Sequence, residues 1–397
     1  MGDIIVQKYG GSSVATTEKI ITIAKRLIER KKTNPKIVVV VSAMGDTTDD
    51  YISLAKEITD TPDKRELDVL MSTGEMISAS LLAMSLKSMG CDAISYNAYQ
   101  LDIQTSGTHG KSLIDDIDVS KIEKSLDEGN IVVVTGFQGL DDIGDITTLG
   151  RGGSDTSAVA LAVKLNGKCE IYTDVDGIMT ADPRVVEDAS LINEMTYNEV
   201  FQLADHGAKV IHPKAVEIAK RGNVPLVIKN TMSECKGTVI KSNVSEEEKR
   251  LISGITHLNN RIQVRVRLSE NRDSKSYRSL LKLLAKNHIS LDLINIFPEH
   301  QMFTIDSSEK EKLNEIMNKA GIKYSIIEGC STIAIVGAGM NGVPGVMASI
   351  INTLTSNEIE VLQTTDSNMT IWCLIYTSKV KEAIRLLHKE FNLGNIN

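Results

Sequence analysis

Ile37 to Val41 is an unbroken apolar run. A strand with one face in water alternates apolar and polar side chains. A strand that is apolar throughout belongs in a parallel sheet covered by helices on both faces. Ile4 to Val6 and Ile131 to Val134 are further runs of this kind, and Glu170 to Thr173 and Leu226 to Ile228 are shorter candidates. Between them the period changes. Ile20, Ile23, Ala24, Leu27 and Ile28 recur at helical spacing among Lys, Arg and Glu, and Pro35 ends that helix. Met76 to Met89 and Ala215 to Arg221 also read as helices. The alternation predicts a three-layer αβα sandwich around a mostly parallel sheet.

Ligands of such sheets collect at the carboxyl ends of the strands. The polar segments fall there. Lys8-Tyr9-Gly10-Gly11-Ser12-Ser13 follows the first run, and Ser42 to Thr48 follows the second. Thr135-Gly136-Phe137-Gln138 and Thr173-Asp174-Val175-Asp176-Gly177 follow later ones. A second glycine loop, Gly150-Arg151-Gly152-Gly153-Ser154-Asp155, opens the helical stretch Ala158 to Val163. Glycine lets a backbone bend and come close to a ligand, and a helix start offers unpaired N–H groups and partial positive charge. Lys8 adds a mobile charge and Arg151 a planar fork for carboxylate or phosphate. Neither loop has the Walker spacing or the dinucleotide fingerprint. Each alone also reads as a tight turn with capping serines. Together they point to a phosphate gripped from two sides, and so to phosphoryl transfer.

At 397 residues, two or three domains are expected. Aromatic residues are 4% of the chain, poor material for stacking bases, and the formal net charge is −8, which argues against general nucleic-acid binding. The five cysteines (Cys91, Cys169, Cys235, Cys330, Cys373) have no metal-ligand spacing and read as reduced thiols of a cytoplasmic protein. Asp3 and Lys8 interrupt any leader-like run, and no stretch is expected to serve as a membrane span of roughly 18 apolar residues.

A polar linker runs from Ser242 to Arg250. After it a weak repeat appears. Ile262 to Leu268 alternates, a helix follows at Leu280 to Leu284, and His288 to Ile294 leads into a strand. The second copy begins at Ser331 to Val336, with a helix expected over Val343 to Thr355, then Asn357 to Leu362 and a last strand and helix. This is the order of a βαββαβ module used twice.

Lys8-Tyr9-Gly10-Gly11-Ser12-Ser13-Val14, Ser72-Thr73-Gly74-Glu75 and Thr148-Leu149-Gly150-Arg151-Gly152-Gly153-Ser154-Asp155-Thr156 resemble three signatures of the aspartate kinases. Tyr172 to Gly177 with Asp182-Pro183-Arg184 is similar to their nucleotide segment, and the tail to their paired ACT modules. The resemblance spans the chain and is to the monofunctional form. It implies an amino acid kinase fold over 1–245 and ferredoxin-like ACT modules over 251–328 and 329–397, with strands exchangeable between the two. It also implies ATP-dependent phosphorylation of the β-carboxylate of L-aspartate, the first step toward lysine, threonine and methionine, in a homodimer or dimer of dimers.

By that resemblance Lys8 contacts the transferring phosphate with Gly10, Gly11 and Ser12, and Asp155 is the catalytic or organising carboxylate. Arg151 clamps the substrate α-carboxylate, Glu75 pairs with its ammonium, and Thr47 and Ser154 orient it. Tyr172, Thr173, Asp174 and Asp176 lie toward adenosine, and Arg184 and Lys209 toward the phosphates. Mg²⁺ bridges the phosphates with no assigned protein ligand. Met179 stands where the family often has an aromatic. Lysine is the expected effector, at Asp292 and Ile294, with threonine or the pair as alternative. The first module's loop, Asn271 to Ser276, lacks the Pro-Gly pair that the second has in Asn341 to Gly345. Kinases of the same fold acting on glutamate derivatives, carbamate or nucleotides generally lack such a tail. A sensor with a dead kinase domain would not need Lys8, Arg151 and Asp155.

Overall fold

The computed structural model describes residues 4–208, 210–270, 279–340 and 342–394. Lys209, Asn341 and the loop Asn271 to Ser276 lie outside the described residues. The chain forms two compact units. One comprises residues up to 178 with 191–204 and 209–248, and the other 179–190, 205–208 and the chain from 249.

Up to residue 241 the elements run β1 (Ile4–Tyr9), α1 (Thr17–Lys31), β2 (Lys36–Val41), α2 (Thr47–Ile58), α3 (Lys64–Ser88), β3 (Ala93–Tyr96), α4 (Ala98–Leu101), β4 (Gln104–Ser106), β5 (Leu113–Asp116), α5 (Ser120–Asp127), β6 (Ile131–Thr135), β7 (Gln138–Leu140), β8 (Ile146–Thr148), α6 (Gly153–Lys164), β9 (Lys168–Thr173), β10 (Glu194–Thr196), α7 (Tyr197–Asp205), α8 (Pro213–Gly222), β11 (Leu226–Asn230) and β12 (Thr238–Lys241). Eight strands make one sheet, ordered β10-β12-β11-β9-β1-β2-β6-β3. From β11 to β3 the pairing is parallel, and β12 runs against β11. A small sheet, β5-β4-β7-β8, stands beside it.

The sandwich read from the sequence is present, and the apolar runs explain it. Ile37 to Val41 are all fully buried. Tyr9, Ile37, Val39, Val41, Ile131 and Val133 pack under Ile20, Ile23 and Leu27 of α1 and Leu82 and Leu86 of α3. Side chains alternate along a strand. Lys8 therefore points to the opposite face, where α6 lies against β1, β2 and β9. From Gly153 to Ala162 every residue of α6 is buried, the polar Ser154 to Ser157 as well as the apolar Ala158 to Ala162.

Two expectations need correction. The helix expected from Met76 begins at Lys64, where Asp63 accepts the Glu66 N–H (3.1 Å), and runs through Ser72-Thr73-Gly74-Glu75 without a break. Gly74 does not stop it because the helix needs a glycine there: a Cβ would lie 2.7 Å from that of Ala43. α3 also has the length and apolarity of a membrane span, contrary to the expectation of none. Its buried side carries Asp68, Ser72, Glu75 and Ser78, and half of its most apolar window is inside the core, as in a core helix of a folded domain.

In the second unit β13 (Gly254–Arg267), α9 (Leu280–Lys286), β14 (Asp292–Ile296), β15 (His300–Asp306), α10 (Lys310–Lys319), β16 (Ser325–Val336), α11 (Val346–Thr355), β17 (Gln363–Asp366), β18 (Thr370–Tyr376) and α12 (Val380–Glu390) build one antiparallel sheet, β14-β15-β13-β16-β18-β17. The repeat is legible in it, with β13 and β16 shared by both halves. Ile262, Val264 and Phe303 join the core under Leu284 and Leu313, whereas Ile255, Ile333 and Ile371 join that of Ile350, Ile384 and Leu387. Gly254 to Leu258 thus stands as the remaining strand of the second copy. Residues 179–190 add Ala181, Val185, Val186 and Ala189 to the latter core. α11 starts three residues later than expected, because Pro344 and the positive φ of Gly345 (+95°) delay it.

Leu27 is wholly buried between α1 and the sheet. Leu27→Ala should destabilise the first unit by about 2–5 kcal/mol, read as a lower urea midpoint with an unchanged slope.

Candidate active site

The loops at the carboxyl ends of β1, β2 and β6 are fastened to one another. The Ser42 N–H donates to the Tyr9 carbonyl (3.1 Å), Gly136 N–H to Val41 (3.0 Å) and Gly45 N–H to Gly11 (3.0 Å). A Cβ on Gly11 would lie 2.9 Å from the Gly45 carbonyl and 3.0 Å from that of Ala43, so only glycine permits this approach. Into this rim projects Lys8. Its Nζ lies 2.7 Å from Asp155 Oδ1, with both side chains nearly buried. Asp155 is in the first turn of α6, and its other oxygen accepts the His212 N–H (3.3 Å). Asp155 Oδ1 takes no aligned hydrogen bond from any described residue. His212 also caps α8 with its ring and sits so close to Gly152 (φ +69°) that a Cβ there would enter the imidazole.

Glu75 is buried, and its Oε1 accepts the Ala43 N–H (3.0 Å). Oε2 has no partner among the described residues. Burial raises its pKa from 4.5 to about 7, against the pull of the Ala43 amide. Glu75 lies mid-helix, without a dipole end to stabilise it. Thr47 opens α2 and donates to the Met44 carbonyl. Ser154 is buried against Gly136, whose Cβ would lie 2.7 Å from that of Ser154. Arg151 is exposed on its glycine turn.

The adenosine-side residues are arranged differently from one another. Gly10 N–H donates to the Tyr172 carbonyl (3.4 Å), but the Tyr172 ring is buried, stacked on Tyr9 (4.7 Å) and hydrogen-bonded to Glu170 (3.1 Å). Only its main chain reaches the loop. Thr173 and Asp174 bond to each other (3.1 Å), and Asp176 accepts from Asn230 and Ser233 (both 2.8 Å). Ser12 is exposed, and its carbonyl accepts from Lys19 (2.8 Å). Arg184 belongs to the second unit, where its fork on Asp182 (2.8–3.3 Å) holds that carboxyl below its usual range. Asp292 and Ile294 are on edge strand β14, and Arg261 lies 3.4 Å from Asp292 and 3.5 Å from Asp306.

The sequence reading singled out neither Phe137 nor Asp68. Phe137 sits at φ +72°, uncommon for a bulky side chain, with its N–H on Ser157 Oγ (3.1 Å) and its carbonyl on Leu149 (2.9 Å). Asp68 is buried beneath Thr148. A charge inside the apolar stretch Leu67-Asp68-Val69-Leu70-Met71 was its signal; Phe137 left none beyond its neighbour Gly136.

A parallel-sheet domain with glycine loops at the carboxyl ends of its strands is the class this geometry defines, and the comparisons make it a kinase. Residues 3–230 match the amino acid kinase family and 325–389 the ACT domain. The aspartokinase of Geobacillus stearothermophilus is 42% identical over 400 residues, and that of Bacillus sp. (strain MGA3) 41% over 402; each match covers 98% of both chains. The chain belongs to the amino acid kinase family and, within it, to the aspartokinases. Escherichia coli aspartokinase III shares the fold at 23% identity, over 98% of this chain and 100% of that one. Its R-state with aspartate and ADP gives a TM-score of 0.83, and its T-state with lysine and aspartate 0.78.

A carboxyl whose pKa is higher folded than unfolded opposes folding once ionised, so stability falls as pH rises from about 4.5 to about 7. Glu75→Gln should therefore be more stable than the parent at pH 8, by up to on the order of 3 kcal/mol, and no more stable at pH 4. Thermal melts at the two values check this.

Proposed function

We propose that the chain transfers the γ-phosphoryl group of ATP to the β-carboxylate of L-aspartate, releasing ADP and 4-phospho-L-aspartate. The observation that carries this is the buried Lys8–Asp155 pair at the start of α6, beside the Gly10-Gly11 loop that is fastened to Gly45. The ligands in the E. coli enzyme's structures support it.

An aspartate side chain is ionised at neutral pH and needs no general base. The work is positioning and charge neutralisation. Lys8 meets the transferring phosphoryl oxygens, with the amides of Gly10 and Gly11 and the Ser12 hydroxyl beside it. Asp155 holds the ammonium in place. Glu75 Oε2 receives the substrate ammonium, Arg151 the α-carboxylate, and Thr47 and Ser154 orient the reacting group. Thr173, Asp174, Asp176 and the Tyr172 main chain border the nucleoside. Mg²⁺, when bound, would supply further charge neutralisation on the phosphates. Asp155, a carboxylate at the start of α6 already paired with Lys8 (2.7 Å), would face its hydration shell. Among the described residues the clustered ligand atoms of His109, Asp141 and Asp145 make no such site, because Arg65 holds Asp145 (2.7 Å) and the 143 and 145 amides hold Asp141 (3.1 and 2.8 Å).

The five cysteines are free thiols, which suits the cytoplasm. We read the reaction as the entry to lysine, threonine and methionine synthesis in a dimer-based assembly, with the units bounded near 245 and 328. Lysine is the effector, received by the Asp292 carboxylate beside Ile294; the lysine complex of the E. coli enzyme supports this.

ATP consumption should depend on L-aspartate and fall with millimolar lysine; insensitivity to lysine and threonine would remove the effector reading alone. Lys8→Ala should lower kcat by about 100-fold or more with an unchanged melt, and a fully active variant would sink the mechanism. The ratio kcat/KM for aspartate should rise with pH and level off above about 7, where Glu75 is ionised. Glu75→Gln should weaken aspartate binding and flatten that rise. Asp292→Ala should abolish lysine inhibition without changing basal turnover.

A further inference from the structure

Two helical turns before Glu75, α3 carries a second buried carboxylate, Asp68. Its Oδ2 accepts from His109 Nδ1, the Gly110 N–H and the Thr148 N–H, all at 3.0 Å, and its Oδ1 accepts the Thr148 hydroxyl at 2.6 Å. All four donors come from segments that border one turn. Thr148 ends β8, directly before Leu149-Gly150-Arg151. The His109-Gly110 turn, between β4 and β5, leans on Gly150: a Cβ there would lie 2.7 Å from the Gly110 carbonyl, and Gly150 is at φ +74°. The Ser112 N–H closes the contact on the Thr148 carbonyl (3.0 Å). On the far side Gly152 abuts His212. The backbone around Arg151 is thus held from both sides, while the guanidinium makes no ion pair or hydrogen bond with any described residue.

We propose that Asp68 is a positioning residue for the substrate α-carboxylate, acting through His109, Gly110 and Thr148 on the turn that presents Arg151. The proposal rests on the reading of Arg151 as the carboxylate clamp. A carboxylate accepting four hydrogen bonds from two segments fixes both at once, and bonds to a charged acceptor are the stronger kind. Asparagine in its place cannot accept all four, because half of its head group donates.

The test is a double-mutant cycle on the full-length enzyme, with KM for aspartate, KM for ATP, kcat and the melting temperature as readouts. Asp68→Asn should raise KM for aspartate about tenfold, with KM for ATP and kcat within about twofold. Arg151→Ala should raise it further, and the double variant should match Arg151→Ala alone. If the two effects multiply, or if Asp68→Asn changes kcat and both KM values alike, the positioning role is wrong and Asp68 is structural. If Arg151→Ala leaves KM for aspartate unchanged, the clamp reading falls and takes the proposal with it. Thr148→Val removes a single donor and should show the same selective rise at smaller size even if Asp68→Asn does not fold; a normal KM in that variant would overturn the proposal.

Discussion

An ammonium and a carboxylate held 2.7 Å apart with little solvent are a poor investment in stability alone, since desolvation offsets much of their attraction. The Lys8–Asp155 pair makes sense as something the fold must place. Lys8 is on a central strand, one residue from the turn, and alternation sends it to the face where α6 begins. Asp155 lies in the first turn of a helix buried on all sides. To bring them together, β1 must enter its loop without a side chain at Gly10 or Gly11, and α6 must start from the left-handed Gly152. The glycines therefore answer one requirement: two backbones and one charge pair converging where no Cβ fits.

α3 imposes the second constraint. It crosses the unit as a single long helix, with one polar stripe inside the core. Glu75 reaches the β2 loop and Asp68 the β8 strand, so one rigid element fixes two loops that come from distant parts of the sequence. Leaving Glu75 Oε2 unpartnered in a buried place is costly, and the same burial raises its pKa. Such a group suits a cation brought by a ligand better than it serves packing.

The sheet was legible because strands buried on both faces have a signature that few other structures share: Ile37 to Val41 admits little else. The repeat in the tail was legible for a similar reason, alternating strands followed by a helical stripe. What stayed hidden depended on tertiary contact. The helix was read only from Met76, and the approach of Ala43 shows why it also passes through Gly74. Tyr172 has the chemistry of a ring that stacks on a base, yet Tyr9 and Glu170 claim it in the core. Charge types at Lys8, Glu75 and Arg151 were readable from the motifs; which of their atoms remain unsatisfied was not.

In the second unit the same economy appears in the strands. Arg261 sits on β13, and that strand serves both halves of the sheet, so whatever moves it is felt in two cores. Arg261 holds Asp292 and Asp306 together, while the N–H and hydroxyl of Ser308, more than Arg261, keep Asp306 below its usual range. An ammonium arriving at Asp292 would therefore compete with Arg261 for one carboxylate, and Asp306 would remain as its other partner. A ligand shifts an equilibrium only by what it binds differently in the two states.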